Sequence, residues 1–98
     1  QGQGVAQDVQ EAEKWIRKAA EQGLAGAQFN LARMYVQGVG VTQDMVQAYA
    51  WLSLAGEQKG TEAALQIRDQ LAQDLTPAQV QQGETLAKNW KSRQSARP

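Results

Sequence analysis

The chain predicts an all-α fold, an α-solenoid of about five helices in antiparallel pairs, and three observations carry the prediction. The composition is rich in Ala, Gln, Leu, Glu and Lys, poor in β-branched residues, and holds only 2 prolines in 98 residues, which favours helix throughout. The opening QGQGVAQD recurs as QGVGVTQD at a shift of 36 positions (38 − 2 = 36). Over residues 1–22 that shift gives 11 identities: Gln1, Gly2, Gly4, Val5, Gln7, Asp8, Ala12, Trp15, Ala19, Glu21 and Gln22 meet Gln37, Gly38, Gly40, Val41, Gln43, Asp44, Ala48, Trp51, Ala55, Glu57 and Gln58. Unrelated sequence would give on the order of one or two, and self-similarity at this period marks a stacked repeat array. Finally, apolar residues return at i, i+3, i+4 and i+7 between Gly and capping signals.

The first helix is predicted from Asp8, an N-cap with Glu11 at the third helical position, to about Gln22, where Gly23 stops it. Ala12, Trp15, Ile16, Ala19 and Ala20 form its apolar stripe. The second spans roughly Leu24 to Gln37 with Ala27, Leu31, Met34 and Tyr35 on one face and Gly38 as its stop. Asp44 opens the third, which carries Ala48, Trp51, Leu52 and Ala55. A fourth starts near Thr61 with Ala64, Ile67, Leu71 and Leu75. The fifth has the clearest start: Thr76 caps, Pro77 takes the first helical position where a missing N–H costs nothing, and Gln79 completes the box. Its apolar face is Val80, Gly83, Leu86, Ala87 and Trp90, and the polar, basic remainder predicts a frayed tail. The organisation expected is a repeat domain over 1–92, made of a partial repeat 1–23, a full repeat 24–60 and a divergent repeat with a capping helix 61–92, followed by a flexible tail 93–98.

Several function classes drop out. Ten basic and 10 acidic residues balance to zero, so no electrostatic case exists for nucleic acid as a partner. His and Cys are absent, which removes imidazole acid–base chemistry, thiol nucleophiles and the usual zinc sites together. No nucleophile–base pair or metal cluster can be assembled, so the expectation is a non-enzyme with no catalytic, cofactor-binding or metal-binding residues. No apolar run has the length for membrane insertion. The glycine loop before the third helix invites a phosphate, yet position 43 is Gln where a dinucleotide fingerprint needs Gly, no Lys follows, and Asp44 would repel an anion from the helix start. Trp15, Trp51 and Trp90 fall on apolar helix faces, so inter-helix core is expected for them.

The run Ala27, Leu31, Ala32, Tyr35, Gly38, Gly40, Val41, Asp44, Ala48, Trp51 and Ala55, at these spacings, resembles one complete Sel1-like repeat, a relative of the tetratricopeptide repeats with a longer period. Two positions depart from that pattern: Ala32 stands where the family has Gly, and Gly56 where it has a second Ala. The resemblance implies that residues 1–23 are the second half of a repeat, and so that the chain is the C-terminal part of a longer array. It would leave apolar surface around Trp15 and Ile16 uncovered at the N-terminal edge, poised for self-association. It implies a protein–protein interaction scaffold whose second helix lines a concave face, with the fourth beside it. The polar positions opposite the core stripe, Asn30, Arg33 and Gln37, with Gln66 and Gln70, are then the candidate contacts to a protein or peptide partner. An alternative from a different class is a bacterial envelope module binding polysaccharide or cell-wall components, which an exposed Trp or Tyr platform in a groove would favour and burial of all three Trp residues would count against.

Overall fold

The computed structural model describes residues 2–95, with side chains from 9 to 93. It contains five α-helices and, among the described residues, no strand: α1 (Gly2–Glu21), α2 (Ala25–Gln37), α3 (Met45–Gly56), α4 (Ala63–Ala72) and α5 (Pro77–Ser95). Helix α1 packs on α2, α2 on α3, and α3 on both α4 and α5, so α3 is the central element. The all-α solenoid expectation holds.

The core follows the repeat stripe. Leu31, Ala48, Trp51 and Ala55 are fully buried, with Ala20, Ala32, Ala50, Leu52 and Ala64 within 2 % of it. Trp51 meets Trp90 of α5 with ring centroids 5.2 Å apart and planes tilted by 39°, an offset aromatic contact of the favourable kind. The Nε1–H of Trp51 is buried without a hydrogen-bond partner among the described residues.

Both departures from the repeat pattern have packing causes. A Cβ added at Gly56 would fall 2.4 Å from Cδ2 of Leu65, so α4 crosses α3 where only glycine leaves room. Gly83 plays the same part on α5, where a Cβ would meet the Tyr49 ring at 2.5 Å. Ala32 is 1 % exposed, which explains a small residue there.

The loop between α2 and α3 is the glycine stretch. Gly38 adopts a left-handed φ of 71° and donates to the Met34 carbonyl at 2.7 Å, ending α2. Gly40, at φ 78°, lies so close to α1 and α2 that a Cβ would sit 2.7 Å from Cε of Met34 and 3.0 Å from Cγ1 of Val9. Asp44 accepts from the N–H groups of Val46 and Gln47 at 3.1 Å, and its own N–H reaches back to the Tyr35 carbonyl at 3.0 Å. The loop therefore closes a helix junction with its own side chains and backbone, as expected from Asp44.

Three expectations are corrected. The first copy of the loop is helix, because α1 starts at Gly2 and not after Asp8. The second copy is held by bonds from Val39 and Asp44 to carbonyls of α2, whereas local helix propensity prevails in the first. The capping role assigned to Asp8 lies outside the described side chains. Trp15 is not core: it is 67 % exposed. The expectation of a frayed tail from residue 91 or 93 is corrected as far as Ser95, to which α5 continues; residues 96–98 lie outside the described ones.

Candidate functional site

The repeat geometry decides which face of each helix is free. Residues 13, 17 and 20 of α1 and residues 49, 53 and 56 of α3 are equivalent and face the helix that follows. Arg17 pairs with Glu13 and donates to the Tyr35 hydroxyl at 2.9 Å, its guanidinium lying 5.8 Å from that ring's centroid. At the next junction Arg68 of α4 lies 5.5 Å from the Tyr49 ring centroid and bonds Asp69 at 2.9 Å. Each junction is thus clamped by one arginine on one tyrosine, with the two residue types exchanged between helices.

An amide pair, with Gln28 buried and Gln58 partly buried, ties the repeats together. Gln28, 1 % exposed on α2, donates to the Ala20 carbonyl at 3.2 Å. Gln58 donates to the Gly23 carbonyl at 2.7 Å and to Oε1 of Gln28 at 3.1 Å. A buried polar group that finds its partners fixes one register and penalises others. Nothing in the periodicity marked Gln28 as buried. The repeat match of Gln22 with Gln58 was the available signal that an amide there has a structural duty.

The free face of α2 forms a groove. Phe29, Ala32 and Val36 from α2, Leu52 from α3 and Ile67 from α4 line a cleft of about 360 Å³, with Arg33 and Gln37 on its rim. That volume falls in the range of small ligand clefts. Leu52 and Ala32 are its buried floor, while Ile67 stays 40 % exposed at the edge. Of the five candidate contact residues, the structure brings Arg33 and Gln37 to the cleft. Asn30, Gln66 and Gln70 are exposed but do not line it. The sequence reading missed Phe29 and Val36, and it assigned Ile67 wholly to the core. The signal was a second stripe on α2, since Phe29, Arg33 and Val36 recur at i, i+4 and i+7.

Arg33 is the sole charged residue in the 13 of α2. Its planar guanidinium offers a fork of donors to a carboxylate. A larger hollow, about 620 Å³ between the start of α3 and α5, is lined by Val46, Ala78, Gln81, Gln82, Thr85 and Leu86 and carries no charge. The groove combines apolar floor and charge, and lies on the helix expected to line the concave face.

The N-terminal edge is the second exposed feature. Ala12, Trp15 and Ala19 are the repeat equivalents of Ala48, Trp51 and Ala55, all three of which are 0 % exposed. Ala12 is exposed and Ala19 half-buried, and Lys18 lies 5.6 Å from the Trp15 ring centroid. The expectation of uncovered apolar surface there is met at Trp15, whereas Ile16 packs partly against the core.

Among the described residues no group of His, Cys, Asp and Glu could hold a metal ion, and no helix is long and apolar enough to cross a membrane.

The model of the Sel1 repeat matches residues 1–24 and 25–60 of the chain. The crystal structure of a protective antigen present in uropathogenic Escherichia coli strains, described as displaying an SLR fold, superposes with a TM-score of 0.78 at 35 % identity. The match covers 92 % of this chain and 21 % of the antigen, so the chain spans about a fifth of that protein's length. No curated protein matches the sequence.

Proposed function

This chain belongs to the Sel1 repeat family, whose repeats are generally protein–protein interaction scaffolds and typically non-catalytic, and from that premise we propose that it holds a peptide or protein segment in the groove between α2, α3 and α4. The observation that carries the reading is the groove itself: a buried floor of Ala32 and Leu52 beside Phe29, Val36 and Ile67, with Arg33 and Gln37 at its rim. Such a surface accepts apolar anchors and orients them by a few polar contacts. Asn30, Gln66 and Gln70 flank it as outer contacts. The test is a joint substitution of Asn30 and Arg33 by Ala in the full chain. Affinity for a partner captured by the wild-type chain should fall while the helical circular dichroism stays unchanged; unaltered affinity would reject the assignment.

The exposed Trp15 supports a second contact surface. Its repeat equivalent is wholly covered, so the α1 edge is suited to pairing with another chain. Sedimentation of the wild type and of Trp15→Glu at rising concentration tests this, and identical monomeric behaviour of both would remove it. Binding of an envelope polysaccharide would call on the same residue, the one aromatic side chain among the large exposed apolar residues described. Tryptophan fluorescence unmoved by added oligosaccharide would set that alternative aside.

A further inference from the structure

We propose that the groove selects a segment in which a large apolar side chain sits next to a carboxylate, the apolar group entering between Phe29, Val36 and Ile67 and the carboxylate taken by Arg33. This rests on the groove being the binding face and adds the chemistry of its occupant.

The charge pattern supports it. The chain is neutral overall, with 10 basic and 10 acidic residues, yet the cleft lining holds one cation and no anion. Helix α2 carries Arg33 and no other charge, so no acid at i ± 3 or i ± 4 neutralises it along the helix. The other arginines with described side chains are engaged. Arg17 holds Glu13 and Tyr35, Arg68 holds Asp69 and Tyr49, and Arg93 lies 4.9 Å from the Trp90 ring centroid. Among the described residues Arg33 has neither an ion pair nor an aromatic partner. The acids of the neighbouring α3–α4 junction are committed elsewhere: Asp69 to Arg68, and Glu62 to the N–H of Gly60 at 2.8 Å.

An unpaired guanidinium at the mouth of an apolar cleft is where a carboxylate gains most. The low-dielectric floor strengthens the attraction, and the fork geometry permits two parallel N–H···O bonds. A lysine or arginine in the incoming segment would face like charge at the same place, so the groove discriminates by repulsion as well. The competing role for Arg33, a solvated cation whose stem merely covers Phe29 and Val36, predicts no charge preference.

The experiment selects from a randomised peptide library displayed against the full wild-type chain, with Arg33→Glu and Ile67→Glu as comparisons. The expected result is enrichment of Asp or Glu beside a large apolar residue on the wild type, and a swing toward Lys and Arg on Arg33→Glu. The strongest sequence is then titrated. Arg33→Gln should weaken it about tenfold or more, replacing the peptide's acid by its amide should cost the same factor, and the two changes together should cost no more than either alone. Enrichment of apolar peptides without charge bias, lost on Ile67→Glu, would leave the groove as the binding face and overturn the proposal. No enrichment, or enrichment that survives Ile67→Glu, would overturn the groove reading and the proposal with it.

Discussion

Trp15 and Trp51 occupy equivalent repeat positions, yet the same substitution should cost very different amounts. Trp51 is 0 % exposed and Trp15 is 67 % exposed. A buried Trp removes about 150–250 Å² from water, worth roughly 4–6 kcal/mol gross at about 25 cal/mol per Å². Trp→Ala at such a site costs about 3–5 kcal/mol once the neighbours relax. Losing the Trp90 contact falls within that figure. Trp15 keeps only about a third of its surface covered, so its gross contribution is at most about 2 kcal/mol, and the unfolded chain already hides some of it. We expect Trp51→Ala to lower stability by about 3–5 kcal/mol and Trp15→Ala by less than about 1 kcal/mol. For a domain of this size those losses correspond to melting points roughly 12–40 °C and under about 8 °C lower. Far-UV circular dichroism during heating and urea titration is the suitable assay, because it reads the helices and not the indole removed. Trp51→Phe adds a second arm. It leaves a smaller void and also removes the unpartnered buried Nε1–H, so its net cost should stay under about 1.5 kcal/mol. Equal losses for Trp15→Ala and Trp51→Ala would refute the reasoning, since they would mean that both faces are covered alike.

Other consequences follow from the same contacts. Asp44→Ala should cost about 1 kcal/mol in urea titration by removing the cap of α3, and Asp44→Asn should recover most of it. Gly56→Ala and Gly83→Ala should each cost about 1–3 kcal/mol by overpacking against Leu65 and Tyr49, whereas Gly26→Ala, which meets no neighbour within 4 Å, should be neutral or stabilising by calorimetry. Burial raises the Tyr49 hydroxyl above the usual phenol value of 10.0, although the nearby Arg68 opposes the shift. The folded state therefore holds that proton more tightly than the unfolded one, and this contribution is fully present below about pH 10 and lost as pH rises through the folded value. Stability measured from pH 8 to 11 should drop more steeply for the wild type than for Tyr49→Phe.

The sequence made the periodic part of this fold legible and left its neighbours out of sight. Asp44 and Thr76 marked helix starts correctly, because capping is a local exchange of bonds: Gln79 N–H to Thr76 Oγ1 at 3.1 Å, and Thr76 N–H to Gln79 Oε1 at 2.9 Å. Repeat matching carried the core from Ala48, Trp51 and Ala55 to Ala12, Trp15 and Ala19, but identity of residues transfers burial only when the surroundings repeat too. Trp51 has α5 beside it, whereas among the described residues no ring or helix covers Trp15 in that way. The glycine loop did not transfer either: its second copy is held by carbonyls of α2, and its first copy is helix. Gln28 escaped notice because a buried amide breaks the apolar pattern and is permitted only by partners far along the chain, Ala20 and Gln58.

The candidate groove was only half visible in the sequence for a related reason. The polar stripe of α2 was visible in Asn30, Arg33 and Gln37, but a groove has two walls, and the second comes from another repeat. Phe29 and Val36 stand on α2, Ile67 on α4, and Leu52 of α3 joins them. The width between those walls is set at the α3–α4 junction, where Gly56 admits Leu65, Thr61 Oγ1 bonds the Ala55 carbonyl at 2.6 Å, and Arg68 lies over Tyr49. None of these residues lines the groove. Their packing places Ile67 on the same cleft as Val36, so a partner of the proposed kind would meet a site already ordered. If the groove is the binding face proposed above, the repeat would contribute in two separate ways: α2 would supply the contacts, and the small residue at the end of α3 would let α4 come close enough to form the opposite wall.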